Sequence, residues 1–301
     1  MNAIMLILIG YLIPPSWACS CASRTESGFL HTGVQQLPSN AKGVLFYISP
    51  TELYYQDQPQ KKFRPPAPKD FSVKDMTTQQ VQVAKLERLS QVDHEILGYA
   101  GMKKYLNTTE LQSVEQSSGL FRIEVEGGFT ADHKYSFEYL GKAVHPDGYH
   151  LEAKISGAAA DLKSLQLANY AAVDSAKFQD LTVMTVRGSC AIGVKAAVQR
   201  IKFRPAIDSN SVLVFNHVRK AGGEFKTWEF RSSLCEPASF GQVANWTVFR
   251  KCSVDKWQDD FSDEIIDEAY ATWGFFELED KLYTSEILKL DFSKALAGHC
   301  S

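Results

Sequence analysis

Apolar and polar residues alternate along several short stretches of the chain, with the period of two that is typical of strands facing a core on one side and water on the other. The clearest alternation lies at 121–126 and 135–139, and the Gly127-Gly128 pair between them predicts a turn. Upstream, the unbroken apolar run Gly43–Ile48 predicts a buried strand. These segments favour antiparallel sheets in the first half of the chain.

Short strand-like segments continue through the second half. They lie at 151–155, 181–186, 197–203, 212–215, 225–230, 246–249, 275–278 and 288–292, with turn-forming residues between them. Helical spacing of apolar residues is limited to 158–171 and 257–273, and residues 81–117 fit either a strand or a helix. Many short strands with few helices predict a sandwich or barrel rather than a parallel sheet.

The predicted fold class is therefore mostly β, with two β-sandwich domains and a few short helices. Apolar periodicity stops near residues 141–147, where a turn sequence interrupts it. We expect an amino-terminal segment at 19–41, a first sandwich at 42–143 and a second β-rich domain at 144–301. A chain of 301 residues is long enough for two such cores.

The first half resembles the immunoglobulin-like and fibronectin-like sandwich domains of bacterial cell-surface and periplasmic proteins. The resemblance is carried by Gly43–Ile48 as an opening strand and by residues 121–139, in which 129–135 look like that family's loop before a strand that begins with tyrosine. It covers about a hundred residues and implies a role as a spacer, an adhesion module or a binding module. The second half resembles no family that we can name.

The first 18 residues form an apolar leader without a charged side chain. The apolar stretch is as long as the hydrophobic region of a signal peptide and too short to span a bilayer. Pro14 and Pro15 precede the small-x-small site Ser16-Trp17-Ala18, which predicts cleavage after Ala18. We therefore expect a periplasmic or secreted protein, and no later apolar run is long enough to predict a transmembrane span.

Six cysteines in an exported chain predict disulfides, in a connectivity that the sequence does not fix. They are Cys19, Cys21, Cys190, Cys235, Cys252 and Cys300. Cys19 follows the predicted cleavage site directly, so the alternative to a free amino terminus is a lipidated Cys19 and an outer-membrane lipoprotein.

The composition argues against one large class of partners. The chain has 35 acidic and 32 basic residues, for a net charge of −3, whereas proteins that bind nucleic acid usually show a clear basic excess. We expect no nucleic-acid partner. The remaining candidates are an envelope protein, an extracellular protein or a glycan.

No catalytic motif stands out, so the favoured hypothesis is a non-enzymatic binding or structural protein with no cofactor, metal or catalytic residues. One alternative is an extracytoplasmic hydrolase with a site near His145, Asp147 and His150. The other is a metalloprotease inhibitor, because Cys19-Ser20-Cys21 resembles the start of the tissue inhibitors of metalloproteinases. In those inhibitors the amine and carbonyl of the first cysteine chelate the zinc of the target, which implies the same for Cys19.

Overall fold

The structure is a computed structural model, and it describes residues 27–31, 34–50, 64–94, 108–141, 149–166, 168–184, 191–207, 212–227, 246–251 and 266–299. In this part of the chain the protein is mostly β, as predicted. Its strands form several antiparallel sheets with apolar side chains packed between them.

Two sheets form the first half of the chain, up to residue 166. The strands are β1 Gly28–Phe29, β2 Val34–Leu37, β3 Gly43–Ile48, β4 Phe71–Asp75, β5 Gln80–Gln82, β6 Ala84–Arg88, β7 Gly119–Val125, β8 Lys134–Tyr139 and β9 Tyr149–Ile155. Sheet A has the order β1-β3-β7-β6, and sheet B has the order β2-β9-β8-β4-β5. All neighbours pair antiparallel except β2 and β9, which pair parallel.

Two further sheets form the second half, from residue 168 onwards. The strands are β10 Asn169–Ala172, β11 Lys177–Met184, β12 Ala191–Arg204, β13 Leu213–Arg219, β14 Lys226–Thr227, β15 Trp246–Lys251, β16 Glu268–Gly274, β17 Tyr283–Thr284 and β18 Leu288–Lys289. Sheet C joins β10, β11 and β15 to the long β12, and sheet D joins β14, β13, β16, β17 and β18. The α-helices of the described residues are short: α1 Thr108–Ser117, α2 Leu162–Gln166 and α3 Ser293–Leu296.

The core is built between the sheets of each half. In the first half the Phe46 ring of β3 lies 5.1 Å from Phe71 and 4.8 Å from Tyr139, both in sheet B. In the second half the Phe203 ring of β12 lies 5.1 Å from Trp273 of β16. Aromatic side chains that meet edge to face give large buried areas in such cores. Aromatic burial therefore contributes much of the core of the first half, in a stretch, 22–189, that contains no cysteine.

Sheets A and D also pack against each other. All six residues of β3 are buried, and the side chains that point away from sheet B, Leu45 and Tyr47, share a buried cluster with Leu213 and Phe215 of β13. The sheets therefore follow one another in the order B, A, D, C. This second packing surface explains why β3 and the first three residues of β13, 213–215, read as continuous apolar runs rather than as alternating strands.

Two predictions about the carboxyl-terminal third are wrong. The helix predicted at 257–273 fails over its described end, where Glu268–Gly274 is strand β16, paired along its whole length with β13. The strand predicted at 275–278 is a turn, closed by hydrogen bonds from the Leu278 and Glu279 amides to the Phe275 carbonyl. Both local sequence patterns correctly indicate buried residues. Burial by itself, however, does not distinguish a strand from a helix or a buried turn.

Two other segments are only partly helical. Of the helix predicted at 158–171, residues Leu162–Gln166 are helical, whereas Asn169–Ala172 pair with β12 as a strand. The ambiguous residues 81–117 contain both kinds of structure, namely most of β5, all of β6 and helix α1. Strand β9, which follows the expected boundary, pairs with β8 of the first half.

Among the described helices, none is both long and apolar enough to cross a bilayer.

Candidate functional site

The junction between sheets A and D gathers the most deeply buried charge of the described chain. The turn that follows β16, residues 275–280, reaches from the second half to the first, and we call it the docking turn. Its Phe276 ring is buried in the cluster formed by Leu45, Tyr47 and Phe215. Backbone groups join the two halves as well, since the Lys42 amide donates to the Glu277 carbonyl at 2.7 Å.

Arg122 of β7 is the centre of this junction, and only 1 % of it is exposed. Its Nε donates to Glu124 at 2.8 Å, and its Nη2 donates to Glu87 of β6. Its Nη1 donates to the Asp280 carboxylate at 2.5 Å and to the Phe276 carbonyl at 2.9 Å. One guanidinium therefore binds sheet A and the docking turn at the same time.

Lys42 completes what we call the Arg122 cluster: Arg122, Glu87, Glu124, Asp280 and Lys42. Its Nζ donates to Asp280 at 2.7 Å. Burial alone would raise the pKa of Asp280, but the hydrogen bonds from Arg122 and Lys42 outweigh burial and lower it. Burial alone would lower the pKa of Arg122, and the bonds to Asp280 and Glu124 raise it instead. Both groups are held in their charged forms.

A shallow cleft of about 500 Å³ opens beside the cluster. The cleft is lined by the side chains of Lys85, Glu87 and Glu124 and by the Gly127-Gly128 turn. Both positive and negative groups therefore line the cleft. Positive and negative groups alternate there at short range and largely cancel. The geometry is that of an ion-pair network that fixes two surfaces together, and the cleft carries no concentrated field of one sign.

A second polar contact at the junction involves Glu277 of the docking turn. The Gln35 amide of β2 and the His31 ring both reach its Oε1, with His31 Nε2 at 3.1 Å. Glu277 and Gln35 are buried, and His31 is nearly so. A buried carboxylate is tolerated when donors satisfy it, and here both donors come from the other half of the chain.

A third polar contact lies in sheet B, at the end of β4. Asp75 is buried at the end of β4, where its carboxylate binds the His133 Nδ1 at 2.8 Å and the amides of Thr77 and Thr78 at 2.8 and 3.2 Å. Burial alone would raise the pKa of Asp75, but these hydrogen bonds outweigh it and lower the pKa. The contact ties the loop before β8 to the end of β4.

Of the residues that the sequence suggested for a hydrolytic site, the described part of the chain contains His150 alone. His150 lies on β9 with about half of its side chain exposed, and its Nε2 is 3.8 Å from Glu152. His145, Asp147 and all six cysteines, Cys19, Cys21, Cys190, Cys235, Cys252 and Cys300, lie outside the described residues. Among the side chains that are described, no three histidine, cysteine or acidic groups converge as metal ligands would.

Sequence reasoning missed Arg122 and the docking turn. Arg122 stands at a polar position of an alternating strand, which predicts a water-facing side chain, yet this face of β7 is buried against the docking turn. The acids that follow Phe275 and Phe276 were a usable signal, because apolar and acidic residues side by side are unusual in a buried strand.

Comparison of the chain with models of known protein families gave no match, and comparison with curated proteins gave none.

Proposed function

We propose that this protein is exported and acts outside the cytoplasm as a non-enzymatic binding or structural protein of the cell envelope. The apolar leader that ends at Ala18 and the even number of cysteines support export. The resemblance of residues 42–143 to immunoglobulin-like domains supports a role as a spacer or binding module. The partner would be an envelope or extracellular protein or a glycan.

The observation that carries the proposal is the buried junction. A binding or spacer protein benefits from a fixed relation between its parts, because a surface held in one orientation loses less entropy when it binds. Arg122 Nη1 donates across the junction to Asp280 and to the Phe276 carbonyl, and Gln35 and His31 both reach Glu277 across it. Arg122, the most buried charged residue of the described chain, and Glu277 thus support the packing of one half on the other.

Export is tested by expressing the full chain with its own leader in a bacterium and separating cytosol, periplasm and membranes. We expect a processed protein that begins at Cys19 in the periplasmic or membrane fraction, with disulfides seen by mass spectrometry without reductant. The Leu8→Arg variant is the matched control, because a charge in the apolar stretch should block export. A wild-type chain that stays in the cytosol with its leader and with free thiols would contradict the proposal.

The binding role is tested by co-sedimentation of the purified mature chain with isolated envelopes. The Cys19→Ser variant is used, so that lipidation does not contribute to sedimentation. We expect saturable co-sedimentation that is lost when the protein is unfolded by heat beforehand. Folded protein that remains in the supernatant at every envelope concentration would count against a binding role.

A further inference from the structure

Among the described residues, strand β6 lies at the edge of sheet A. In the described chain its only strand partner is β7, and β6 ends the strand order of the sheet. Exposed edges with unpaired amides and carbonyls are templates for another strand. The sequence around β6 is also unusual, because Val81 and Val83 are the two most exposed large apolar side chains among the described residues, at 78 % and 62 %.

The hydrogen bonds to β7 fix which backbone groups of β6 point outwards. The Glu126 amide donates to the Val83 carbonyl at 3.0 Å, and the Leu89 amide donates to the Leu120 carbonyl at 2.9 Å. Since bonding alternates along an antiparallel ladder, Lys85 and Glu87 also direct their backbone groups to β7. The amides and carbonyls of Ala84, Leu86 and Arg88 therefore point away from sheet A.

We propose that β6 pairs with β6 of a second copy of this chain, antiparallel and about a twofold axis at Leu86. This axis places Leu86 opposite Leu86 and Ala84 opposite Arg88, so that the outward backbone groups of both copies bond to one another. The pairing would join the two A sheets into one continuous sheet. A twofold axis is the commonest symmetry of protein dimers, and it uses the same surface of each copy.

The charges of Lys85 and Glu87 favour this register over its neighbours. With the axis at Leu86, Lys85 of each copy lies opposite Glu87 of the other, in the non-hydrogen-bonded pairs where side chains are closest. An axis moved by one residue would place Lys85 opposite Lys85 or Glu87 opposite Glu87, which is repulsive. Lys85 and Glu87 alternate with half-buried neighbours and have about half of their side chains exposed, so both are accessible to a second copy.

Among the described residues, a cleft lies on each side of β6. Lys85, Glu87 and the 500 Å³ cleft beside the Arg122 cluster lie on one side. On the other side Pro65 and Pro66 line a cleft of about 380 Å³ with Leu86 and Arg88, and prolines have no amide to donate to the outward carbonyls of β6. Val83 lies next to the paired strand, where a second copy would cover it.

The dimer should be weak. A pairing of five residues from each copy buries less than the roughly 1,200–2,000 Å² of a stable interface, so we expect dissociation at micromolar concentrations. Sedimentation velocity of the mature full chain from about 1 to about 200 µM covers this range. We expect the sedimentation coefficient to rise from a monomer value to a dimer value across the series. A monomer at every concentration would overturn the proposal.

Two substitutions test the strand and its register. Leu86→Pro removes an amide that points away from β7, so it should abolish the dimer while circular dichroism stays that of the wild type, whereas Leu86→Ala keeps the amide and should still dimerise. Lys85→Glu should weaken dimerisation about tenfold or more, because both cross-copy pairs become repulsive. Lys154→Glu, at an exposed position of β9, changes the net charge equally and should have no effect.

Zero-length carbodiimide cross-linking of a mixture of ¹⁴N and ¹⁵N protein identifies the paired residues directly. We expect a mixed-isotope link between Lys85 and Glu87, alongside the link between Lys42 and Asp280 within one copy, which reports that the reaction works. A dimer that persists in both Leu86→Pro and Lys85→Glu, or that cross-links only through other residues, would show a different interface and overturn the proposal.

Discussion

Arg122 shows how a single charged side chain can be stable in the interior. A guanidinium that loses water must regain hydrogen bonds to carboxylates or carbonyls, and its planar fork suits several acceptors at once. Here Glu87, Glu124, Asp280 and the Phe276 carbonyl supply them. Because Glu87 and Asp280 remain partly exposed, the cost of burying the network falls mainly on the arginine.

Replacing Arg122 by methionine should destabilise the protein by about 3 kcal/mol, because Glu87, Glu124 and a buried carbonyl lose the bonds that Arg122 donates and Asp280 retains only the bond from Lys42. The value lies at the low end for a broken buried pair, since water can reach Glu87 and Asp280 in the variant. Urea unfolding followed by circular dichroism measures it. Glu126→Gln is the control, because it removes a pair with Lys85 at 3.5 Å in which both side chains are more than half exposed. It should cost no more than about 0.5 kcal/mol, and equal losses in the two variants would contradict the assigned role of Arg122.

Asp75 gives a prediction for acid conditions. Its pKa is lowered in the folded protein, so its carboxylate contributes stability above the unfolded pKa of about 3.9, and this contribution is lost as the pH falls through the lower folded value. We expect the free energy of unfolding of the wild type to decrease below about pH 4. Asp75→Asn is less stable at pH 7 and should lose less stability on acidification. Urea unfolding at a series of pH values compares the two, and parallel pH curves would count against this assignment.

At the scale of elements, alternation and apolar runs located β3, β7 and β8, whereas the local pattern failed at β16 and at the docking turn. β8, whose burial alternates, was predicted almost residue by residue. β16 and the docking turn were not predicted, because the neighbours that bury them, β13 and sheet A, are distant in sequence. A local window contains no information about such partners, so helix, strand and buried turn give similar apolar patterns. The candidate site was missed for the same reason, since Arg122 and Asp280 are 158 residues apart.

The docking turn should depend on Phe276. The side chain is 1 % exposed and lies between Leu45 and Phe215 in the cluster that joins the halves. Phe276→Ala should therefore cost about 3–5 kcal/mol, from lost burial and from the cavity that remains. Ile287→Ala removes a side chain that is nearly half exposed and should cost much less. Thermal and urea unfolding measure both variants, and a mild effect at Phe276 would mean that the docking turn can repack.

At the scale of the whole molecule, the two halves share too much buried surface to be independent. Sheet A presents Leu45, Tyr47 and Leu120 to the docking turn and to β13, so separation would expose an apolar face on each side. The Arg122 cluster and the bonds to Glu277 would also be broken. The free energy of this interface adds to the stability of each half, which makes partial unfolding unfavourable.

The distribution of tryptophan allows a direct test of this coupling. Apart from Trp17 in the predicted leader, every tryptophan lies at or beyond Trp228, so the fluorescence of a chain that begins at Cys19 reports on the second half alone. Circular dichroism reports on the strands of both halves. We expect the two signals to follow one urea transition with the same midpoint and slope, because coupled halves unfold together. In Phe276→Ala, where the interface is weakened, the two midpoints should separate. Separate midpoints in the wild type would show instead that each half is stable without the other, and that the buried junction contributes little to holding them together.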